Sequence, residues 1–327
     1  MFRVYELILK LKGGGSKDVV VTEGENKTMA WFYVIYLFLF FGMYAWCYIN
    51  YKDYFLPVAA SIHGEEIDQL LAFNFDMINI VFVITIMPLF LFPLKYYYRK
   101  SRKAYWYPEN HKLELIWTVV PSIAMAVVII WGLQTWNEIF EPAPEDAIQI
   151  ELYAKQFDWT ARYSGADGKL GNFNYRLIGG TNGLGLDPND ENVNDDKIVK
   201  GEFHLPVNRS VNFAFRSQDV IHSAYMPHFR AQMNCVPGMT TQFHFVPNKT
   251  TAEMREITGN PEFDYILLCN KICGIAHYNM QMTIVVESEE AYNTWLASQK
   301  TVDEKGILAG LKETEKTKNT NLLAKNN

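Results

Sequence analysis

The sequence has few cysteines, and their arrangement excludes several kinds of protein. Only 4 occur among 327 residues, at positions 47, 235, 269 and 273, which is too few and too scattered for the disulfide framework of a small secreted domain. The chain has no Cys-x-x-Cys-His motif, so it does not attach a c-type haem covalently. No Gly-Lys-Ser or Gly-Lys-Thr follows the glycines at 13–15, so that stretch is a flexible spacer and not a phosphate-binding loop.

Charge is absent from three long apolar stretches in the first half of the chain. They are 30–49, 77–94 and 115–136, and only Pro88 and Pro93 interrupt the second one. About 20 apolar residues span the hydrocarbon layer of a membrane as an α-helix. A buried helix of a soluble protein of this length normally keeps a polar stripe, which these stretches lack. The sequence therefore predicts three transmembrane helices.

The basic residues near these helices predict their orientation. They concentrate in the N-terminal tail and in the connector 95–112, whereas the segment between the first two helices is mainly acidic. By the positive-inside rule, the tail and the connector face the cytoplasm. We predict a cytoplasmic tail at 1–29, a first helix at 30–49, an outer-face loop at 50–76, a helical hairpin at 77–136, an outer-face domain at 137–300 and a flexible tail at 301–327.

The second half of the chain is acidic and has the pattern of an all-β domain. Residues 137–327 carry 18 basic and 25 acidic side chains, which argues against a nucleic-acid partner and suits a basic protein. Short strand-like stretches separated by proline and glycine predict a β-sandwich or barrel. The predicted strands are 148–153, 201–207, 211–217, 240–246, 263–268 and 281–286. Residues 164–200 are interpreted as an inserted, solvated loop, because their acids lack the spacing of a calcium loop.

Two thiols, an imidazole and a thioether occur close together near the end of this domain. They belong to Cys269, Cys273, His277 and Met280. Sulfur ligands favour copper or zinc, and imidazole suits either metal. The alternatives to a copper site are a zinc knuckle and Cys and His side chains buried in an ordinary core. The thioether favours copper, and the second Cys indicates two bridged coppers, because a one-copper electron-transfer site needs one Cys. Gly274 gives the loop the backbone freedom to fold back on itself.

A further ligand is expected from a separate loop. His222 follows the predicted strand 211–217 and lies near the rigid Pro227, which suits a residue that completes a site from the side. With Asp-Val-Ile-His-Ser at 219–223 and Cys-Asn-Lys-Ile-Cys-Gly-Ile-Ala-His-Tyr-Asn-Met at 269–280, the sequence resembles cytochrome c oxidase subunit II. The resemblance implies a binuclear CuA centre of two copper ions. Its ligands would be the bridging thiolates of Cys269 and Cys273, the imidazoles of His222 and His277, the thioether of Met280 and the backbone carbonyl of Lys271.

The resemblance also implies a fold and a function. The fold would be three transmembrane helices followed by a cupredoxin-like Greek-key barrel, in a bacterial inner membrane with the barrel on the periplasmic face. The chain would be subunit II of an aa3-type haem–copper oxidase, taking electrons from a cytochrome c-type donor to haem in subunit I. Haems and CuB in subunit I would reduce oxygen to water, coupled to proton translocation. The alternative is a membrane-anchored copper-binding or copper-delivery protein, which would need an open and labile site.

The predicted hairpin carries a second match to the family. Glu-Leu-Ile-Trp-Thr-Val-Val-Pro at 114–121 resembles the motif that opens the second helix of the subunit II hairpin. The helix at 30–49 is then additional, and we expect its aromatic face to pack against a neighbouring subunit. From its position, Glu114 is a solvated helix-start residue that the helix dipole favours. The resemblance implies instead the entrance carboxylate of a proton channel in subunit I.

Two positions depart from the family pattern. The family commonly has Gln-Trp-x-Trp where this chain has Gln-Phe-Asp-Trp at 156–159, so electron entry is predicted around Phe157 and Trp159. Between the two cysteines the family has Glu, whose carboxylate reaches a magnesium ion, and the ammonium of Lys271 does not ligate a cation. This departure argues against magnesium. Both departures predict a cytochrome donor held nearby by a quinol-oxidising complex and not a freely diffusing basic cytochrome.

Overall fold

The structure, a computed structural model, describes residues 22–180, 182–307 and 309–310. These residues fall into two units, one of residues 22–56 and 73–124, and the other of residues 57–72 together with the described residues from 125 onward. The first unit is helical, and the second contains the strands. The predicted cytoplasmic tail up to residue 21 and the predicted flexible tail beyond residue 310 lie outside the described residues.

Among the described residues, three helices are long and apolar enough to cross a membrane, which confirms the predicted number. They are α1 (Glu23–Tyr51), α2 (Ile62–Tyr96) and α3 (His111–Ile139). Each helix is longer than the apolar stretch from which it was predicted, since it includes polar residues on both sides of that stretch. At the start of α1, for example, the side chains of Thr22 and Glu25 form a capping box that satisfies free backbone N–H groups.

The start of α2 lies well before the predicted one. The Ser61 hydroxyl accepts a hydrogen bond from the Gly64 N–H (3.1 Å) and donates one to the Phe229 carbonyl (2.8 Å), so it caps the helix. Glu65 in the first turn is also favourable for the helix dipole. The prediction of a loop throughout 50–76 is therefore wrong for its second part, which is helical from Ile62 onward.

The aromatic face of α1 packs against α2 within the first unit. The rings of Tyr36 and Phe90 lie 5.4 Å apart, as do those of Tyr44 and Phe82. The Tyr44 hydroxyl also donates a hydrogen bond to the side-chain oxygen of Asn79. Aromatic pairs at this spacing stabilise a contact beyond the area that they bury. The premise that this face has no partner within the chain is therefore wrong, since α2 supplies one, and its packing against a neighbouring subunit stays a prediction.

Two five-stranded sheets form a sandwich in the second unit. The strands are β1 (Ile148–Lys155), β2 (Asp158–Tyr163), β3 (Lys197–Val199), β4 (Glu202–Pro206), β5 (Val211–Ser217), β6 (His222–Met226), β7 (Ala231–Cys235), β8 (Thr241–Phe245), β9 (Tyr265–Cys269) and β10 (Gln281–Glu287). The first sheet has the order β3-β2-β1-β5-β8, and the second has the order β4-β10-β9-β6-β7. The pairs β1–β5 and β4–β10 are parallel, and the other pairs are antiparallel. Two short helices, α4 (Thr251–Thr258) and α5 (Glu289–Ser298), accompany the sheets.

The core lies between the two sheets and confirms the predicted all-β fold. Ile150 and Phe213 of the first sheet and Leu267 and Ile284 of the second are completely buried in one apolar cluster. Strands β2, β3, β6 and β7 were not predicted. The last three have only three to five residues, and pairing with neighbouring strands decides such short segments more than local propensity does.

Residues 164–200 are not a solvated loop throughout. Asp196 is completely buried, and its carboxylate accepts hydrogen bonds from Arg162 (2.6 Å) and from the Gly171 N–H (3.1 Å). Val302 is also buried, and its N–H donates to the Asp196 carbonyl (2.8 Å). Its side chain packs in an apolar cluster with Val193. The predictions of a solvated insert and of a flexible tail from residue 301 are therefore wrong here, because the two segments bury side chains against each other.

A buried charge set fixes this segment to the first sheet. The Glu151 carboxylate accepts hydrogen bonds from Nε of Arg162 (2.6 Å) and from Nε of Arg216. Arg162 also pairs with Asp196, and each of these four side chains is at most 6% exposed. The guanidinium of Arg216 lies 3.4 Å from the centre of the Phe173 ring. The set thus contains two guanidinium groups and two carboxyl groups, and it joins β1, β2 and β5 to the insert.

Candidate metal centre

Strand pairing brings the two parts of the predicted metal site together. Cys269 ends β9 and His222 begins β6, and these strands pair with Ala224 opposite Cys269. The N–H of Asn270 continues the pairing by donating to the Ser223 carbonyl (2.9 Å). His222 therefore lies beside Cys269, although 47 residues separate them in the chain.

The loop between β9 and β10 folds back on itself. The N–H of Cys269 donates to the Met280 carbonyl (3.1 Å), which closes the loop at its base. A single 3-10 turn, His277–Asn279, leads into Met280. Gly274 has a φ of 141°, which residues with a side chain rarely adopt. The glycine therefore permits the reversal that returns the chain to β10.

Cys269 Sγ has three of the predicted donor atoms around it. The Lys271 carbonyl oxygen lies 3.3 Å away, His222 Nδ1 3.7 Å away and Cys273 Sγ 3.8 Å away. The ligand atoms of His222, Cys269 and Cys273 all lie within 4.8 Å of one another, which is close enough for one metal ion. Three residues from two strands and one loop thus converge on a single point.

Cys273 Sγ has the remaining two predicted donor atoms beside it. His277 Nδ1 lies 3.6 Å away and Met280 Sδ 3.8 Å away. The two histidines thus approach different sulfur atoms, and the sulfurs lie between them. The structure therefore brings together all six predicted donors.

The chemistry of this donor set fits copper. His222 and Met280 are buried, and Cys269 and Cys273 are at most 9% exposed. Burial, together with the neighbouring Cys269 thiol, raises the pKa of Cys273 to about 11. The Cys273 thiol therefore keeps its proton near neutral pH unless a positive charge, such as a bound metal ion, displaces it. Two sulfurs from Cys, two imidazoles and a thioether are the ligands that copper prefers.

Both parts of the chain match one protein family. Residues 49–135 match the transmembrane domain of cytochrome C oxidase subunit II, and residues 149–289 match its periplasmic domain. The alternative cytochrome c oxidase subunit 2 of Bradyrhizobium diazoefficiens is 35% identical over 236 residues, which are 72% of this chain and 80% of that relative. The chain belongs to the cytochrome c oxidase subunit II family.

More distant relatives and solved structures are also similar to this subunit II chain. Cytochrome c oxidase subunit 2 of Cereibacter sphaeroides is 25% identical over 253 residues, covering 73% of this chain and 76% of that one. The match to the periplasmic domain of subunit II of Bradyrhizobium japonicum cytochrome oxidase spans 48% of this chain and 96% of that chain, at 21% identity and a TM-score of 0.32. The match to a chain of a heme-copper terminal oxidase dimer spans 54% of this chain and 99% of that chain, at 18% identity and a TM-score of 0.32.

Membership of the family confirms the predicted class of protein. The chain is subunit II of a haem–copper oxidase, and its part in that enzyme is electron transfer. It is a membrane protein with three apolar helices and a cupredoxin-like domain outside the membrane. The family implies a copper centre, and the cluster of His222, Cys269 and Cys273 lies in the matched periplasmic domain.

Contacts behind the ligands were not predicted from the sequence. The Asp219 carboxylate lies 2.8 Å from His222 Nε2 and accepts hydrogen bonds from the N–H groups of Gln156 (2.7 Å) and Val220 (2.7 Å). Burial opposes the ionisation of Asp219, but these hydrogen bonds outweigh it and hold the pKa of the carboxyl below its usual range. The three-residue spacing of Asp219 and His222 in the sequence was the signal that could have found this pair.

Of the two aromatic residues predicted for electron entry, only Phe157 reaches the surface. Phe157 is half-buried at the tip of the β1–β2 hairpin, and a Cβ on Gly274 would lie 2.8 Å from its ring. Trp159 is completely buried. Its indole N–H lies 3.5 Å from the Met280 carbonyl, and its ring centre lies 6.3 Å from that of His222. Trp159 therefore supports the site from within the core and does not meet a partner at the surface.

Glu114 belongs to the helical unit and caps the start of α3. Its carboxylate accepts a hydrogen bond from the Asn110 N–H (3.3 Å) and lies 3.1 Å from His111 Nδ1. In return the Asn110 side chain accepts one from the Leu113 N–H (3.1 Å). The reciprocal pair satisfies backbone groups at the helix start. The helix-start role inferred from position is therefore present in the structure.

The loop that carries the ligands also presents an apolar surface. Ile272, Ile275 and Tyr278 are 87%, 92% and 86% exposed, and the side chain of Lys271 is exposed among them. Large apolar side chains with this exposure usually mark a surface that a partner covers. The side chains of His222, Cys269, Cys273 and Met280 are thus buried, while the outer side of the same loop is exposed.

Proposed function

We propose that this subunit holds two copper ions in a CuA centre and transfers electrons from a cytochrome c-type donor to haem in subunit I. Four donor atoms converge on the two cysteine sulfurs, with spacings of 3.3–3.8 Å within the set, and this observation carries the proposal. When bound, a thiolate-bridged copper pair supplies a one-electron store whose ligands move little between oxidation states. The haems and CuB, which reduce oxygen to water, would lie in subunit I.

The residues of this chain prepare that centre in three ways. Cys269 and Cys273 would bridge the metals, since each sulfur faces both the other sulfur and one imidazole. Met280 would set the reduction potential as a weak ligand from within the core. The rigid sandwich would keep the ligand positions nearly constant, which lowers the reorganisation that accompanies electron transfer.

The proposal includes where electrons and partners approach. Electrons would enter at Phe157, whose ring contacts the ligand loop at Gly274. The exposed Ile272, Ile275 and Tyr278 suit an apolar contact with a protein that remains bound, and Lys271 adds a positive charge there. These features favour a cytochrome held by a quinol-oxidising complex over a diffusing basic protein. Lys271 also offers no carboxylate to a magnesium ion.

The proposed orientation follows the charges of the chain. The connector 95–112 is basic, so it would face the cytoplasm of a bacterial cell, and the cupredoxin-like domain would face the periplasm. Glu114 at the cytoplasmic start of α3 would then be available to a proton channel of subunit I. The intact oxidase would couple electron transfer through this chain to proton translocation.

Copper content and spectroscopy of the purified chain test the copper centre. The wild type is expected to bind two coppers and to show mixed-valence hyperfine structure shared by both nuclei. Cys269→Ser and Cys273→Ser are expected to abolish this spectrum, because a hydroxyl bridges copper poorly. Met280→Leu keeps copper but shifts its potential. Cys47→Ser is the matched control, since Cys47 is exposed on α1. Retention of both coppers without Cys269 or Cys273 contradicts the proposal.

The donor is tested separately by turnover. We expect slow oxidation of basic soluble cytochrome c by the isolated oxidase and fast turnover of the intact membrane assembly with quinol. A fast reaction with soluble cytochrome c that falls steeply with salt contradicts a tethered donor and leaves the copper centre unaffected.

A further inference from the structure

One carboxylate connects a proposed copper ligand to the hairpin tip that carries Phe157. Oδ1 of Asp219 faces His222 Nε2 (2.8 Å) and the Val220 N–H (2.7 Å). Oδ2 accepts the hydrogen bond from the Gln156 N–H (2.7 Å). Gln156 lies between β1 and β2, in a different part of the sequence from both ligand segments. Asp219 therefore adds a side-chain link between two segments that the pairing of β1 with β5 already places side by side.

The hairpin tip is in turn attached to the loop between β9 and β10. The Gln156 side chain donates a hydrogen bond to the Cys273 carbonyl. The Phe157 ring lies so close to Gly274 that a Cβ there would meet the ring at 2.8 Å. The contacts thus run from His222 through Asp219 and Gln156 to Cys273, and they connect the two segments that supply the proposed ligands.

We propose that Asp219 is a positioning residue that holds His222 in one tautomer and holds the Gln156–Phe157 tip against the ligand loop. The effect of Asp219 on copper binding rests on the proposed function, but its effects on the His222 tautomer and on the hairpin tip do not. A carboxylate only accepts hydrogen bonds, so His222 Nε2 carries the proton and donates it. Nδ1, which lies 3.7 Å from Cys269 Sγ, is then the nitrogen with a free lone pair for a metal.

The shared use of both oxygens makes the arrangement rigid. If the carboxylate rotated to improve one contact, it would lose the other, because Gln156 and His222 approach different oxygens. Asp219→Asn keeps the size of the side chain but has one acceptor oxygen and one NH2 group. Either the Gln156 N–H or His222 then faces a donor. The Asn variant must therefore release the hairpin tip or force His222 to place its proton on Nδ1.

The experiment uses the full chain in detergent and begins with the metal-free form. The 15N shifts of labelled histidine, with the His222 signals assigned from a His222→Asn variant, report the tautomer. Hydrogen–deuterium exchange of the segment around Gln156 reports the tip. The wild type is expected to show the Nε2–H tautomer and slow exchange at Gln156. Asp219→Asn is expected to lose one of them, with the tautomer reversed or with exchange about ten- to a hundredfold faster, the range for one lost hydrogen bond to a charged acceptor.

Two further variants exclude a general effect of mutation. Asp158→Asn is the matched control, because Asp158 lies on the same hairpin but pairs with Lys200 at the surface (3.0 Å). It is expected to change neither readout. Asp219→Glu keeps two acceptor oxygens and is expected to restore both readouts in part. If Asp219→Asn does not fold, the tautomer of His222 in the wild type and in Asp219→Glu still decides the matter.

The outcome separates this inference from the proposed function. An Nδ1–H tautomer in the wild type, or unchanged tautomer and exchange in Asp219→Asn, overturns the inference whatever the copper content. If either readout changes as expected, copper is then added, and the hyperfine pattern and reduction potential of Asp219→Asn are expected to differ from those of Asp158→Asn. A wild type that binds no copper pair refutes the proposed function, while the expected changes in the metal-free chain still support the positioning role.

Discussion

Replacement of Glu151 by Gln tests the buried charge set that fixes residues 164–200 to the first sheet. The change keeps the size of the side chain but removes the negative charge that Arg162 and Arg216 share. Arg162 keeps Asp196, whereas the partners left to Arg216 among the described residues are the Leu184 carbonyl, at 3.2 Å, and two aromatic rings. Removing one partner from a buried ion pair costs about 3–5 kcal/mol, because the remaining charge stays buried without compensation. We expect a loss of that size in the free energy of unfolding.

Thermal unfolding of the second unit in the purified chain measures the effect. For a domain of this size the expected loss lowers the unfolding midpoint by roughly 6–20 °C. Asp158→Asn serves as the control, because the side chains of Asp158 and Lys200, which form a pair, are 44% and 56% exposed. Exposed pairs contribute about 1 kcal/mol or less. Equal shifts of the two variants would refute the reasoning, since burial would then add nothing to the interaction.

The pH dependence of the same difference gives an independent check. Burial opposes the ionisation of Glu151, but Arg162 and Arg216 outweigh it and hold the pKa of the carboxyl below its ordinary value of 4.5. Because the folded-state pKa is the lower one, the contribution of Glu151 is complete above pH 4.5 and is lost as the pH falls through the folded-state pKa. The gap between wild type and Glu151→Gln is therefore expected to narrow below pH 4.5. A gap that stays constant down to acid unfolding would contradict the charge pairing.

Three other changes give shorter tests. Burial raises the pKa of Asp196 to about 7 against the opposing effect of Arg162. The stability from its protonated form is therefore complete below about pH 4 and is lost as the pH rises through 7. The deficit of Asp196→Asn in unfolding free energy, relative to wild type, should shrink over that range, whereas a growing deficit would show that the ionised pair with Arg162 dominates. Gly274→Ala should lower the unfolding midpoint more than Gly238→Ala. Both positions have positive φ, which costs a residue with a side chain about 1–3 kcal/mol of strain, but a Cβ at position 274 would also meet the Phe157 ring. Equal shifts would mean that the ring moves aside at no cost. Glu114→Gln should slow turnover of the assembled oxidase and leave copper reduction unchanged. Glu109→Gln is the control, because Glu109 is exposed. Equal turnover of the two variants across pH would mean that Glu114 only caps the helix.

The sequence by itself determined the chemistry of the candidate site and the presence of the membrane helices. Cys269, Cys273, His277 and Met280 lie within one loop, so their types and spacing could be recognised without knowing the fold. His222 was found because it follows a strand-like segment. The three helices were predictable because the thickness of the hydrocarbon layer sets a length that a local count of apolar residues can meet. These features share one property: each depends on residues that are close together in the chain.

Only the tertiary structure decided the contacts between segments that are far apart. Pairing of β6 with β9 places His222 against Cys269, and the turn at Gln156 brings a third segment to Asp219. The same is true of the α1 aromatic rings, which found their partner in α2. It is also true of the acids of the insert. They were predicted to be solvated, whereas Asp196 pairs with Arg162 in the interior. A charged side chain is normally exposed, and only the position of its partner in space reveals that it is buried.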